Sequence, residues 1–255
     1  MAQSGTVCYN VSNTMQGDYC MKKIGLIGGT GPESTLMYYR ELNRRIDTLT
    51  GQRQMPEIII ESVDFRKAWS YVEDGRYDAL SDYLAMEAQN LRKAGAEVIA
   101  LTAATMHIVY DEVCSKSGVP LVSIPKAVAR EALAKGYHKV GLLGTIFTME
   151  QSYMKNDLLA AGIEVYTPDK ADRLLIAHRI LTELEVGIVK ESTLSEFQAI
   201  LKKMQAEQGI EAVVLGCTEL PLLLNPDNCP VPCLDSVEIH LSELIRLAAK
   251  GDSPN

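Results

Sequence analysis

One cysteine stands where a thiol can do chemistry. Cys217 lies in the segment Gly216-Cys-Thr-Glu219, directly after the apolar run Ala212–Leu215, with a hydroxyl and a carboxylate beside it. A thiolate removes protons from carbon and a thiol returns them, provided that helix-start N–H groups or a cation lower a pKa that is ~8.5 in isolation. A free cysteine is also commonly a small buried apolar residue. The segment alone admits both interpretations.

Three more polar segments follow apolar runs. Gly28-Gly-Thr-Gly-Pro32 precedes a predicted helix, and its glycines and free N–H groups favour an anion, for which we expect a carboxylate. It lacks the glycine spacing of dinucleotide and P-loop sites, and a tight turn without a ligand is the alternative. Thr102-Ala-Ala-Thr-Met-His107 and Gly144-Thr145 complete the set. The candidate substrate-binding residues are Thr30, Gly31, Thr105, His107, Thr145, Thr218 and Glu219.

The other cysteines and histidines give weaker signals. Cys229 and Cys233 form C-P-V-P-C, which has neither the spacing nor the second pair of a zinc site, so we expect no metal. Cys114 lies in an amphipathic stretch and is expected to pack. His107 and His240 have the chemistry to orient a thiol or carry a proton near neutral pH, with a structural role as the alternative.

These segments depend on a pattern of short apolar runs that alternate with longer amphipathic stretches. The continuous apolar runs are typical of strands covered on both faces, and the alternation predicts an α/β fold with parallel sheets flanked by helices. Helices are predicted around Leu194–Met204 and Val237–Ala248 from apolar spacings of three to four residues. The predicted strands are Ile24–Ile27, Glu57–Val63, Val98–Leu101, Val140–Leu143, Glu164–Tyr166, Ala212–Leu215 and Val231–Leu234.

The sequence also contains an internal repeat. Ile24-Gly-Leu-Ile-Gly28 matches Val140-Gly-Leu-Leu-Gly144 at an offset of 141 − 25 = 116, and Ala94–Leu101 matches Gln208–Leu215 at 209 − 95 = 114. Any two βα units share such patterns, but two ordered matches favour two similar lobes. Since ligands of open α/β sheets bind at the carboxyl ends of strands, facing lobes would share one cleft. We predict a loose tail over 1–20, lobe one over 21–122 plus 236–255, and lobe two over 123–235.

Composition narrows the classes of function. The 255 residues carry 25 Lys and Arg against 33 Asp and Glu, a net charge of 25 − 33 = −8, which disfavours nucleic acid as a partner. No apolar run approaches the ~18 residues of a membrane span, and the first twenty residues lack the basic and apolar regions of a secretory signal. The few cysteines for this length favour a reduced, cytoplasmic setting.

At these residues the sequence resembles the aspartate/glutamate racemase family, within the wider Asp/Glu/hydantoin racemase group. The resemblance implies two pseudo-symmetric α/β lobes, no pyridoxal phosphate, no metal, a small-molecule carboxylate substrate and usually a homodimer. It also implies one cysteine in each lobe, on opposite faces of the substrate α-carbon. The matching stretches are Ile24–Thr35, Ser62–Phe65, Thr105–His107, Leu143–Thr145, Thr148–Gln151, Gly216–Leu220, Asp235 and Ile239–His240.

The sequence departs from that family at the first-lobe thiol. Cys217 matches the second-lobe cysteine, but its partner position, 217 − 114 = 103, is Ala103, and Ala104 replaces the asparagine that follows. The family's basic substrate contact falls near Leu175, with Arg173 and Arg179 close by. Its polar contact after Ser62–Phe65 falls near Val72.

The single thiol supports three classes of function. The first is a racemase or epimerase of an acidic amino acid, in which Thr102 or Thr105 holds a water as the partner of Cys217, because the methyl group of Ala103 cannot donate a proton. The second is a decarboxylase or isomerase on a dicarboxylate, in which Cys217 protonates a carbanion. The third is a catalytically silent homologue that binds carboxylates.

Overall fold

The structure, a computed structural model, describes residues 21–249. The predicted tail over 1–20, with Cys8 and Cys20, lies outside the described residues. Within 21–249, no helix combines the length and the apolar character that a membrane span requires.

Two four-stranded parallel sheets form the centre of the molecule, and their strand orders are the same. The first sheet has the order β2-β1-β3-β4 and the second β6-β5-β7-β8. Helices flank both sheets, so the predicted α/β fold with two parallel sheets is confirmed. The strands are β1 Ile24–Gly28, β2 Ile58–Ser62, β3 Val98–Leu101, β4 Leu121–Val122, β5 Lys139–Leu143, β6 Glu164–Tyr166, β7 Ala212–Leu215 and β8 Cys233–Asp235.

The register repeats with the topology. Ile27 pairs with Leu101 between β1 and β3, and Leu143 pairs with Leu215 between β5 and β7. The internal repeat in the sequence therefore corresponds to equivalent strands. Only β4 was not predicted, because its two residues are too few to give an apolar run.

Helices of the first lobe cover its sheet with faces spaced at three to four residues. In α1 the buried face is Thr35, Tyr38, Leu42 and Ile46, and Pro32 occupies the helix start, where its missing N–H costs nothing. The elements are α1 Pro32–Leu49, α2 Phe65–Glu73, α3 Tyr77–Lys93, a 3-10 helix Ala104–Val109 and α4 Tyr110–Ser117.

Helices of the second lobe follow the same plan. Phe197, Leu201 and Met204 are buried on one face of α9, where the apolar spacing predicted a helix. The elements are α5 Ile124–Ala134, α6 Ile146–Glu150, α7 Asn156–Ala160, α8 Lys170–Thr182, a 3-10 helix Leu184–Val186, α9 Glu191–Gln208 and a 3-10 helix Leu220–Leu222.

The last helix returns to the first sheet. In α10, Ser236–Ala249, the residues Leu241 and Leu244 pack with Ile24 and Leu26 of β1. Helix α5 packs against the second sheet. The chain therefore passes from the first lobe to the second after β4 and returns to the first lobe after β8. The exact lobe boundaries stay a prediction.

The carboxyl ends of the two sheets face each other. Ala104 and Ile108, just past β3, pack against the buried cluster of the second lobe that contains Leu142 and Tyr153. At the rim, the ring of Trp69 on α2 lies 6.5 Å from that of Phe147 on α6, edge to face. The segments that follow β1, β3, β5 and β7 therefore meet between the lobes.

Candidate active site

The loop after β1 has a backbone that only glycine can follow. Gly29 has φ +82°, and a Cβ there would lie 2.4 Å from the carbonyl oxygen of Val63. Gly31 has φ +152° and leads into α1. Between them, Thr30 is 7% exposed, and within residues 21–249 its Oγ1 has no hydrogen-bond partner. A buried hydroxyl left unpaired is costly unless a ligand or water satisfies it.

In each lobe, the glycine at the end of the first strand packs against a threonine of the following helix. A Cβ at Gly28 would come within 2.5 Å of Thr35, and one at Gly144 would come within 2.9 Å of Thr148. The threonine of the following helix therefore packs directly on the strand end in both lobes. This shared detail extends the repeat from the sheets to the site.

A chain of hydroxyl groups connects the two lobes beside the cleft. Oγ1 of Thr145 lies 3.1 Å from that of Thr148, which lies 2.9 Å from the hydroxyl of Tyr153. The Tyr153 hydroxyl also lies near Thr105 of the first lobe, and burial raises its pKa to about 12. Thr105 and Thr145, both predicted from the sequence, thus meet through Thr148 and Tyr153, which sequence reasoning did not assign to the site.

Cys217 follows β7 as predicted and is partly exposed. Its Sγ lies 2.8 Å from Oε2 of Glu219, to which the thiol donates, while Thr218 donates to Oε1 of the same carboxylate at 2.6 Å. The three predicted residues of this segment therefore form one hydrogen-bonded unit.

The electrostatics of this unit favour a neutral thiol. Burial raises the pKa of Cys217 well above its ordinary value, and the charge and hydrogen bond of Glu219 raise it further. A hydrogen bond with the backbone of Glu219 lowers the pKa of Cys217, but by less than these causes raise it. The charge of Glu185 raises it slightly more. The sequence interpretation requires a lowered pKa, whereas burial and Glu219 raise it and so favour the protonated thiol.

The equivalent position in the first lobe carries only a methyl group. Ala103 follows β3 in an extended conformation and packs against the core of its lobe. Thr102 is buried and bonded to the Ile27 carbonyl at 3.3 Å and, at 3.4 Å, to Thr35. Thr105, which is half-buried, is therefore the better placed of the two predicted water-holding residues.

Both candidate histidines have their ring nitrogens occupied by the protein. His107, predicted as a substrate contact, is buried with Nδ1 3.2 Å from the Ala103 carbonyl, and Nε2 accepts from the Ile124 N–H at 3.1 Å. His240 bonds Tyr38 at 2.7 Å and the Val122 carbonyl at 3.1 Å. Burial lowers the pKa of His107 to about 4 and that of His240 to about 3. We therefore assign both to structure rather than to the ligand.

The remaining sequence candidates pack against the two lobes, and Leu175, Cys229 and Cys233 share the second-lobe cluster with Cys217. Val72 is buried in the first-lobe core, and Leu175 packs against the second. Cys114, Cys229 and Cys233 are free and partly buried. Across residues 21–249, no three metal-ligating side chains come together.

Comparison with known proteins supports this geometry. The family model described as Asp/Glu/Hydantoin racemase matches residues 27–244. A broad specificity amino-acid racemase, RacX of Bacillus subtilis, is 24% identical over 218 residues, covering 84% of this chain and 92% of the relative.

Two solved structures are similar over nearly the whole described chain. A provisionally assigned Asp/Glu racemase from Yersinia pestis superposes with a TM-score of 0.86 at 38% identity, and an aspartate racemase homologue from Pyrococcus horikoshii with 0.82 at 39%. Each comparison covers 90% of this chain and 100% of the other.

Proposed function

The chain belongs to the Asp/Glu/hydantoin racemase family, and on that premise we propose that it exchanges the α-proton of an amino acid with Cys217 as its one thiol. The observation that carries the proposal is the Cys217–Glu219 pair at the end of β7, with Sγ 2.8 Å from the carboxylate. As the resemblance implies, neither pyridoxal phosphate nor a metal takes part in the proposed reaction.

Glu219 gives the neutral thiol a route to act as a base. The Cys217 proton passes to Oε2 of Glu219, the sulfur takes the α-proton, and the electron pair stays on the α-carbon, delocalised into the substrate carboxylate. In the reverse step the thiol delivers its proton to the carbanion and Glu219 returns the stored one. The number of protons is conserved, and positioned groups of this kind contribute about 10²–10⁴-fold in rate.

The face opposite Cys217 has a weaker proton source. Ala103 offers none, so we propose that a hydroxyl or a water held by Thr105 protonates this face, with the Tyr153 hydroxyl near it. Hydroxyl groups with pKa values near or above 12 are poor acids at neutral pH. We therefore expect exchange from the Cys217 face to be faster than full racemisation.

Donors at the strand ends are proposed to bind the α-carboxylate. Thr30 has an unpaired buried hydroxyl, Gly31 supplies an N–H at the start of α1, and Thr145 and Thr218 complete the set from the second lobe. For the substrate, the relatives' names support an α-amino acid as the class, with aspartate and glutamate as the first members to examine. Homodimer formation stays a prediction.

A second candidate function is carbanion protonation alone. The neutral resting state of Cys217 favours it, because a protonated thiol is ready to donate without a base. In a decarboxylase the bond to a carboxylate breaks, carbon dioxide leaves with no electron pair, and Cys217 protonates the α-carbon. A homologue that binds carboxylates without turnover is the third class that the lone thiol allows.

Incubation with single enantiomers in deuterated water tests these functions. We expect α-deuterium incorporation by the wild type and a loss of about 10²–10⁴-fold in Cys217→Ala. Cys114→Ala, a cysteine outside the cleft, is the matched control and should keep the wild-type rate. Release of carbon dioxide from disubstituted malonates without exchange would establish the decarboxylase instead. Binding without either reaction would establish the silent homologue.

A further inference from the structure

Side chains of lobe one hold the segment that carries the chain into lobe two. This crossing segment, residues 121–124, contains β4 and the first residue of α5, and α5 packs against the second sheet. Its backbone makes three hydrogen bonds with side chains of lobe one: Leu121 with Tyr110 at 2.7 Å, Val122 with His240 at 3.1 Å, and Ile124 with His107 at 3.1 Å. Lobe two therefore begins from a segment that lobe one fastens.

The partners of the two imidazoles fix where the ring protons are. A carbonyl oxygen only accepts, so Nε2 of His240 carries the proton that it donates to Val122. Its Nδ1 then accepts from the Tyr38 hydroxyl at 2.7 Å, and burial raises the pKa of Tyr38, so the hydroxyl keeps that proton. His107 has the opposite tautomer, because its Nε2 accepts from the Ile124 N–H.

The ring proton of His107 is directed to the end of β3. Its Nδ1 lies 3.2 Å from the carbonyl oxygens of both Ala103 and Ala104, to which it donates. Ala103 is the residue equivalent to Cys217, and Thr105 follows Ala104 directly. One imidazole therefore holds both the crossing segment and the peptide groups that orient Thr105.

These side chains form one buried unit. Tyr38, His107 and His240 are all buried. The two imidazole rings have centroids 6.4 Å apart and cross at 83°, and the ring of Tyr110 stacks on His107 with centroids 5.7 Å apart. Since protein interiors are close-packed, a shift of Tyr38 or His240 is passed to His107 and so to the end of β3.

We propose that the two imidazoles and the Tyr38 hydroxyl are positioning groups that set Thr105 at its distance from Cys217 across the cleft. Their hydrogen-bonding atoms are occupied by the protein, so they act through the backbone at the end of β3 and through the crossing segment. This inference rests on the proposed α-proton exchange and adds the residues that place its first-lobe proton source.

The thiol side of the cleft does not use this arrangement. The position equivalent to His107, 107 + 114 = 221, is Pro221, whose side chain donates no hydrogen bond. Cys217 has its own partner in Glu219, at 2.8 Å. Loss of the arrangement should therefore slow racemisation, which needs both faces of the α-carbon, more than exchange from the Cys217 face alone.

Tyr38→Phe tests the inference, because it removes one hydroxyl and leaves the ring in place. The measured quantity is the ratio of racemisation to α-deuterium exchange for a single enantiomer in deuterated water. We expect this ratio to fall by about tenfold, through kcat for racemisation rather than KM, while exchange changes by less than about twofold, because misplacing a reacting group costs rate steeply. Tyr39→Phe, at an exposed tyrosine of the same helix, is the matched control and should keep the wild-type ratio.

A second readout needs no turnover. In isotope-labelled protein, nitrogen NMR of the imidazoles should show His240 protonated at Nε2 and His107 protonated at Nδ1. Tyr38→Phe should shift the backbone amide signals of Ile124 and Thr105. If Tyr38→Phe folds poorly, Tyr110→Phe takes its place, since it removes the hydrogen bond to the Leu121 carbonyl of the same segment.

The outcomes separate this inference from the proposed function. An unchanged ratio, or equal losses of exchange and racemisation, overturns the positioning role while α-proton chemistry stands. If the wild type exchanges no amino acid, the proposed function fails, and the NMR signals decide the inference alone, as they do if exchange occurs without racemisation. Shifts at Ile124 and Thr105 with the stated tautomers support it, whereas unmoved signals or the opposite tautomers overturn it.

Discussion

The two lobes have the same strand order and the same glycine–threonine packing at their first strand ends, yet they differ at the position that carries the thiol. Cys217 stands in the second lobe where Ala103 stands in the first. The second-lobe thiol also has a carboxylate 2.8 Å away, while the first-lobe methyl packs against its own core. The repeat thus preserves the binding framework on both sides and concentrates the titratable chemistry on one.

This asymmetry shows that the framework and the reaction are separable. The strand ends and helix starts depend on backbone geometry, which both lobes share. The proposed proton-transfer group is a single side chain, that of Cys217. Adding a thiol to the first lobe, or changing the surroundings of the thiol in the second, is therefore the direct way to test the difference between the lobes.

The largest expected effect comes from making the lobes chemically alike. Ala103→Cys adds one sulfur atom, which a cleft rim should accommodate at a cost of about 1–3 kcal/mol at most. The new thiol would supply an acid on the face opposite Cys217, so we expect racemisation to rise by about 10²-fold or more. Chiral chromatography of a favoured substrate measures the interconversion.

Controls keep that result specific. Cys217→Ala in the Ala103→Cys background should abolish the gain, and Ala104→Asn alongside Ala103→Cys tests the neighbouring family position. A wild type that already racemises as fast as the Ala103→Cys variant would contradict the single-thiol argument. A variant that folds and binds but never racemises would mean that the substrate lies elsewhere in the cleft.

A smaller effect concerns the pH dependence of the free energy of unfolding, to which a buried histidine of lobe one contributes and the equivalent residue of lobe two does not. His107 holds the 3-10 helix of lobe one, whereas the equivalent position in lobe two, 107 + 114 = 221, is Pro221, which does not titrate. With its pKa lowered from about 6.5 to about 4, neutral His107 stabilises the fold fully above pH 6.5, and this contribution is lost as the pH falls towards 4. The loss at pH 5 is about 2 kcal/mol.

Urea unfolding at pH 7 and pH 5 measures that loss. In His107→Gln, the difference in unfolding free energy between pH 7 and pH 5 should be smaller by about 2 kcal/mol. The substitution should also destabilise the protein at both pH values. His178→Gln, an exposed histidine of α8, should leave the pH dependence intact. An unchanged slope in His107→Gln would show that the helix of lobe one does not depend on a neutral imidazole.

The smallest expected effect concerns the thiol's own environment. Glu219→Gln removes the charge that, after burial, contributes most to the raised pKa of Cys217, so that pKa should fall. Alkylation of Cys217 by iodoacetamide at pH 8 should therefore be faster in the variant than in the wild type, because more of the sulfur is thiolate. Glu207→Gln provides the control for a lost surface charge. Slower alkylation would mean that Glu219 activates the sulfur in the resting state.

Much of the framework could be predicted from the sequence. Continuous apolar runs such as Val98–Leu101 become strands because both faces of a parallel sheet are covered, and the repeat offset correctly paired β1 with β5 and β3 with β7. The four polar segments could be placed at strand ends for the same reason. The segment β4 escaped prediction because two residues carry no periodicity.

The electrostatics of the site could not be predicted in the same way. Glu185 is 217 − 185 = 32 residues from Cys217 in sequence, and only tertiary packing brings their charges together. The direction of the Cys217 pKa shift depends on burial, which a sequence motif does not record. A histidine near a strand end, such as His107, gives the same pattern whether its nitrogens meet a ligand or the backbone.

The double passage of the chain between the sheets has a mechanical consequence. His240 of α10 bonds the carbonyl of Val122, so the helix after the second passage is fastened to the first. We expect two adjacent connections joined in this way to act together as the hinge between the lobes. Ser236 at this hinge donates to the Leu215 carbonyl at 2.7 Å, two residues before Cys217. We therefore expect the thiol and its carboxylate to keep their place beside these connections when the cleft opens.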